Sequence, residues 1–393
     1  MPSRAQFSDE QRRARLASRH RLAPGVRAER AEQVGHDLVA LHATDAATVF
    51  LAVAARLASP GVADTERALY RDRTLLRLHG MRNTLFVVAA ELAPDLYAST
   101  TAKVAARERT RLLKSFAAAG LDAAWTARTE AAVRAALLDA PDGELTGTQL
   151  SAAVPELRAE MVYGAGTSYE ATQTVGMRLL RVLGMDGSII RRRPVGSWTS
   201  SQHRWAAGEP GAKPSGAEVS RAQAALARRW LASYGPATEQ DLVWWTGWGV
   251  REVRAALAAN GAVEVELADG SAGSVLPDDL APVEDPGPWA ALLPALDPTA
   301  MGWKHRDWYL SPDHLPQLLD RTGNLGPTAW WNGRVVGGWA QRADGEVVFE
   351  LLDDAGSEAR AALDAEAATL RSWLADTRVT PRFRTPLERR LSA

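Results

Sequence analysis

The sequence has no cysteine, and that one absence closes several chemistries. Disulfide frameworks, thiolate nucleophiles, Cys-ligated zinc and iron–sulfur clusters all need a sulfur the chain does not supply. No apolar run approaches about 18 residues, and the opening MPSRAQFSDEQRR has no apolar centre. Neither a membrane span nor a secretory leader is therefore expected, and the protein is read as cytoplasmic. Histidine is scarce at seven, with no HExxH or other metal pair at helical spacing, so no metal and no cofactor is expected. A Walker loop, a GxGxxG turn and a GxSxG elbow are missing as well, which excludes the familiar kinase, dehydrogenase and hydrolase routes. Lysine is limited to Lys103, Lys114, Lys213 and Lys304, so nearly all of the 46 basic residues are arginine. Arginine suits bidentate phosphate contacts better than lysine does.

What is present is a 393-residue chain, 46% hydrophobic and 24% charged, the composition of a globular protein of several domains. Its net charge of −1 argues superficially against a nucleic-acid partner. Residues 1–210, however, hold 28 Lys+Arg against 22 Asp+Glu, and residues 211–393 hold 18 against 25. A front of net +6 and a back of net −7 are hidden in the sum, and such asymmetry points to polyanion binding by one part.

Patterning predicts helices punctuated by strand pairs, three times over. Ser8 with Gln11 reads as a capping box opening a helix to about Arg21. Helical periodicity returns over Ala28–Leu41 and Ala46–Leu57, then Leu75–His79 and Asn83–Val88 read as strands around Gly80-Met81-Arg82. In the second copy Asp122–Leu138, a capping box at Thr146 and Gln149, and a helix over about Ser168–Leu183 precede strands Ser188–Arg192 and Gly196–Thr199. The third runs Ala217–Tyr234, Glu239–Trp245 capped by Thr238, Arg251–Ala259 and a strand Ala262–Leu267. Beyond Asp285 strand-like runs alternate with turns such as Asn332-Gly333, a strong hairpin signal. The expected class is α+β and predominantly helical: three tandem winged-helix motifs over 1–120 (with a connecting helix), 121–210 and 211–284, then a β-rich C-terminal domain over 285–393.

Two basic features suit a phosphate backbone. Lys103, Arg107, Arg111 and Lys114 recur at spacings that line one helix face, and Arg191-Arg192-Arg193 falls at an expected wing tip beside Pro194. Solvated surface is the plainer reading of the helix stripe. Tryptophan is heavy at 14, and core packing explains the Trp244–Trp245–Trp248 cluster more simply than base stacking. One small constellation carries chemistry: His42-Ala43-Thr44-Asp45, between two helices of the first unit. Outside a helix His42 and Thr44 point the same way, and an imidazole beside a hydroxyl can hold a water and take its proton. From these residues alone, Thr44 or Asp45 capping the helix at Ala46 is the simpler alternative.

Several segments resemble the winged-helix DNA glycosylase family of the AlkZ and YcaQ type: LVALHATDAATVFLAVAAR, MRNTLFVVAAEL, RRWLASYGPATEQDLVWWTGW, LLPALDPTAMGWKHRDWYL and GPTAWWNGRVVGGWA, in family order. The resemblance implies tandem winged helices and a C-terminal β domain around duplex DNA, excision of bulky alkylated purines, and unhooking of interstrand crosslinks. It also implies, for some members, self-resistance to a genotoxic natural product. The family's catalytic pattern, Gln-apolar-Gln or Gln-apolar-Asp, falls where this chain reads His42-Ala43-Thr44. Both outer residues depart from it, which implies His42 as base and Thr44 orienting the water, with Asp45 as a further candidate. The expected protein is a monomeric, metal-independent, monofunctional glycosylase associated with the nucleoid. It would act on N7-alkylguanine or N3-alkyladenine adducts or crosslinks in double-stranded DNA. The alternative is a non-catalytic winged-helix DNA-binding protein, a regulator or a damage binder that has lost activity.

Overall fold

The computed structural model describes residues 4–163 and 170–393, which fold as helices alternating with short sheets, an α+β arrangement. In the first unit, helices Asp9–Arg19, Ala31–Asp37 and Ala46–Ala54 surround an antiparallel hairpin of Leu75–His79 and Leu85–Ala89. Leu41–His42 joins that hairpin as a third strand beside Leu85–Ala89. The hairpin turns tightly because Arg82 and Asn83 both adopt left-handed backbone, φ 52° and 61°. The helix expected over Ala28–Leu41 is shorter. It ends at Asp37, Val39 turns to φ 64°, and the chain enters the strand that carries His42. Ser8 caps the first helix through the Gln11 amide (3.3 Å), but the Gln11 side chain does not complete the box. It pairs instead with both backbone groups of Val283, at 3.0 and 2.9 Å, and so pins the linker before the tail.

The second unit holds helices Ala123–Leu138, Gly147–Ala153 and Val175–Asp186 around a sheet ordered Glu144–Thr146, His203–Ala207, Ile189–Pro194. The Thr146–Gln149 capping box is formed as the sequence suggested. Two expectations need correction. Ala171–Thr174 is not helix but a strand paired with Glu160–Tyr163, the helix beginning only at Val175, while Ser168 lies outside the described residues. The second strand of the hairpin is His203–Ala207 rather than Gly196–Thr199. Arg191, Arg192 and Arg193 therefore lie within a strand, beside a bulge, and not at its tip.

The third unit is built from helices Gly216–Tyr234, Glu239–Thr246 and Val250–Ala259 with the hairpin Val263–Leu267/Ala272–Val275. Its sheet is completed from far away, because Gln6–Phe7 pairs in parallel with Glu266–Leu267. The tail is a four-stranded antiparallel meander, Ala290–Leu293, Thr328–Trp331, Arg334–Gln341 and Val347–Leu351. Helix Gly356–Leu374 packs on it, burying Ala359, Leu363 and Ala367.

The cores do not follow the units one for one. One cluster joins Leu16 and Phe86 of the first unit to Trp230 and Trp245 of the third and to Trp303, Trp308 and Trp330 of the tail. Another joins Leu41, Val49 and Phe50 to the tail's Trp339 and Leu363. Between them lies a fully buried ion pair, Arg56 on Asp297 at 2.7 and 2.9 Å, with Thr299 bonded to both Arg56 and His20 at 2.8 Å. A separate cluster joins Val133, Leu150, Leu179 and Trp205 of the second unit to Leu112 and Phe116 of the connecting helix. Among the described residues no helix is long and apolar enough to cross a membrane.

Candidate active site and DNA-facing surface

His42 occupies a strand of only two residues, and the register fixes where it points. It stands opposite Phe86, which stands opposite Leu78, while Leu41, Val87 and Arg77 form the neighbouring row. Side chains directly across a ladder share a face and successive rows alternate, so His42 and Arg77 leave the sheet on opposite sides. The imidazole lies 4.6 Å from the Phe86 ring, centroid to centroid. It is 5% exposed, and its Nδ1 is buried with no hydrogen-bond partner. Burial, with the Arg82 cation nearby, holds its pKa down to about 3. The ring is thus neutral at physiological pH.

Thr44 is half-buried, and its hydroxyl has no protein partner among the described residues. Its carbonyl accepts from the Arg382 guanidinium at 3.4 Å. Asp45 is the N-cap of helix Ala46–Ala54. One carboxylate oxygen accepts from the Ala47 amide at 3.1 Å and the other from the Arg382 amide at 2.9 Å. With both oxygens engaged and no bond to His42, Asp45 is a structural cap that ties the tail to this corner. His42 and Thr44 thus stand two residues apart at this corner, beside an Asp45 whose two oxygens are taken by backbone amides.

Near His42 stands Arg82, and with it Arg306, a pair of cations that sequence reasoning missed. The Arg82 guanidinium lies 4.3 Å over the Trp244 ring and Arg306 lies 5.1 Å from it. Neither arginine has a carboxylate partner among the described residues, and Arg306 together with burial lowers the Arg82 pKa. Gly247, at φ 72°, leaves the space this needs, since a Cβ there would come within 3.1 Å of the Arg82 side chain. Two cations held on one aromatic face without counter-ions form a surface suited to a polyanion. The only sequence signal was the presence of each residue, and nothing local links Arg82, Trp244 and Arg306.

The expected DNA contacts fare unevenly. Lys103, Arg107, Arg111 and Lys114 do lie on one helix, Ala102–Ala118, whose inner face buries Ala105, Leu112 and Phe116. Lys103 meets Glu252 at 3.3 Å, while Arg107 and Arg111 share Glu108 at 3.8 and 2.7 Å. All three pairs are solvent-exposed and compete weakly with a phosphate. Arg192 is paired with Glu144 at 2.6 Å and Arg193 with Glu66 at 2.9 Å. Arg191 has no carboxylate partner and lies over Trp205 at 5.2 Å. Among the described residues no three His, Asp or Glu side chains gather as metal ligands.

With this geometry in view, the chain belongs to the AlkZ-like DNA glycosylase family, whose model, DNA glycosylase AlkZ-like, matches residues 36–373. Among solved structures it is similar to the Streptomyces sahachiroi DNA glycosylase AlkZ. The TM-score is 0.70 at 22% identity, covering 96% of this chain and 99% of that one. At that identity the likeness shows the fold alone. No curated protein matches the chain.

Proposed function

We propose that the protein hydrolyses the N-glycosidic bond of bulky alkylpurine adducts, of N7-alkylguanine or N3-alkyladenine type, or of interstrand crosslinks, in duplex DNA. The carrying observation is the neutral His42 imidazole, with a buried, unpartnered Nδ1 two residues from an unengaged Thr44 hydroxyl. An N7- or N3-alkylated purine is already cationic and leaves with the glycosidic electron pair, so no strong acid is required. What remains is an oxocarbenium-like sugar and a water. Thr44 orients the water and His42 accepts its proton as the new C1′–O bond forms. A base of such low pKa is weak in water, but a water bonding to a cationic sugar becomes strongly acidic, so positioning matters more than basicity.

In this reading the three helix–hairpin units act as winged helices, with domain limits near residues 120, 210 and 284. Arg82, Arg306, Arg191 and the Lys103–Lys114 stripe follow the phosphates. The chemistry runs without metal in a monomer, and its setting is self-resistance to a DNA-alkylating natural product. A biosynthetic cluster for such a compound beside the gene would support that setting.

The test is excision from duplexes carrying methyl, bulky and crosslinked adducts, scored as abasic sites, alongside affinity for the same duplexes. His42→Ala is expected to lower excision of N7-alkylguanine by about 100-fold or more while changing affinity little. Thr44→Val is expected to give a smaller loss of the same kind. Equal loss of excision and affinity would make the site a binding surface and favour a damage binder. Activity abolished by a chelator would overturn the metal-free chemistry.

A further inference from the structure

On the sheet face opposite His42, the first unit meets the second across a seam crowded with positive charge. Arg77, from strand Leu75–His79, has buried Nε and Nη2 atoms with no partner. Arg191, from strand Ile189–Pro194, has a buried, unpartnered Nε. Next to them His203 has a buried Nε2 with no partner, and the Tyr70 hydroxyl is likewise buried and unbonded. Arg181 and Arg382 complete the group, both acting on Arg191. No carboxylate pairs with any of these four arginines among the described residues.

Mutual repulsion is visible in the titration of the group. Burial and then Arg77, Arg181 and Arg382 bring Arg191 down to about 10, while burial, Arg191 and Arg77 bring His203 down to about 4. Of these groups Tyr70, Arg77 and Arg191 border a cavity of about 290 Å³, lined also by Arg73, His79 and Arg192. Carboxylates do reach the far end of that cavity, but each is engaged elsewhere. Asp186 meets Arg109 at 3.6 Å and Glu209 meets Arg134 at 2.7 Å.

Buried donors without acceptors and like charges without counter-charges are costly in a folded protein. They persist where a ligand completes them. An anion with several acceptor oxygens, presented to guanidinium forks from two strands, fits these donors best. Arg382 links the cluster to the candidate active site, since its amide caps onto Asp45 and its guanidinium reaches the Thr44 carbonyl.

We propose that Arg77, Arg181, Arg191, Arg382 and His203 form a phosphate cradle that grips a phosphodiester of the DNA backbone between the first and second units. The inference rests on the reading of the protein as a DNA-acting enzyme. Because Arg77 and His42 leave the sheet on opposite faces, the gripped phosphate flanks the lesion and is not that of the reacting nucleotide. Closing the cradle on it draws the two units together, so the strand is held while His42 and Thr44 act.

Undamaged duplex is the appropriate probe, because its binding does not depend on excision. Arg77→Gln with Arg191→Gln is expected to weaken binding of the full-length protein at least tenfold at low salt. The slope of log affinity against log salt should flatten by about two, one for each lost phosphate contact. The same double variant should raise the Tm without DNA, because like-charge repulsion is relieved, whereas removal of merely structural residues would lower it. Inorganic phosphate at millimolar concentration should raise the Tm of the wild type but not of the variant if the cradle takes any phosphate. Phosphate without effect, beside duplex binding lost in the variant, would identify the DNA backbone as the source. Unchanged duplex affinity and salt slope in the double variant would overturn the cradle. Lost excision in His42→Ala with an intact cradle, or the reverse, separates this inference from the catalytic one.

Discussion

The second unit and the rest of the molecule hold themselves together in different ways. The first unit, the third unit and the tail share two hydrophobic clusters, so that Phe86, Trp230 and Trp330 belong to one core although they come from three regions. The second unit shares its cluster, including Val133 and Trp205, only with the connecting helix through Leu112 and Phe116. Its attachment to the larger body is of another kind: Trp198, packed 5.1 Å from Phe50 and 5.4 Å from Trp373, and the cationic seam around Arg77 and Arg191. Shared apolar cores make a rigid frame, whereas one aromatic anchor beside unpaired charges makes a joint. The candidate catalytic residues sit on one sheet face of the frame, and the joint lies against the other face of that sheet.

The strongest way to break this comparison is Asp297→Ala. It leaves Arg56 charged and unpaired in a fully buried site, a loss of about 3–5 kcal/mol. Hydrogen exchange should then accelerate together in the first unit, the third unit and the tail, while residues 121–207 stay protected. Acceleration confined to the first unit would show that the frame is not one body.

Trp198→Ala addresses the joint. Its ring is 8% exposed and lies in a cluster otherwise drawn from the first unit and the tail. Truncation is expected to weaken docking by about 3 kcal/mol and to speed proteolysis around residues 195–202, with both cores intact. A variant whose second unit itself melts early would place Trp198 in that unit's own stability.

The smallest expected effect concerns pH. His42 and His79 are held down to about 3 and His203 to about 4, in each case chiefly by burial, against an ordinary value near 6.5. The unfolded chain therefore takes up these protons first as pH falls. Stability from the three residues is complete above about pH 6.5 and drains away as the pH drops toward 3–4. Two of the three, His79 and His203, border the seam, so acid is expected to release the second unit before the frame. Thermal melts from pH 7 to pH 5 that never move downward would refute the assignment. Excision should show no acid limb from His42 near 6.5.

Much of the frame was legible because its signals are local. Thr146 with Gln149 and Thr238 with Asp241 form capping boxes where the pattern placed helix starts, and Asn332-Gly333 makes its turn with φ 46° and 80°. Failures came where distant partners decide. The strand bearing His42 is two residues long and pairs with Leu85–Ala89, so local periodicity carried the preceding helix on to Leu41 and showed no strand. No glycine marked the break at Val39. Gly196–Thr199 looked extended, but Trp198 is claimed by another core and the pairing strand comes later, which drew the arginine triplet off the tip. His42 and Thr44 were visible as a pair. The arginines, Arg82 and Arg306 at Trp244 and Arg77, Arg181 and Arg382 around Arg191, became two groups only through the fold.

Gln6–Phe7 pairing with Glu266–Leu267 has a consequence for synthesis on the ribosome. That strand has no partner until the third unit has followed it, and the first unit's cores wait for tryptophans of the tail. The second unit can condense on its own as soon as its last strand, His203–Ala207, is out. The order of birth is thus not the order of completion: the middle matures first, and the catalytic corner, sealed by the Arg382 amide on Asp45, closes last. A nascent chain stalled before the tail would carry His42 and Thr44 without the Arg382 contacts that tie down their corner.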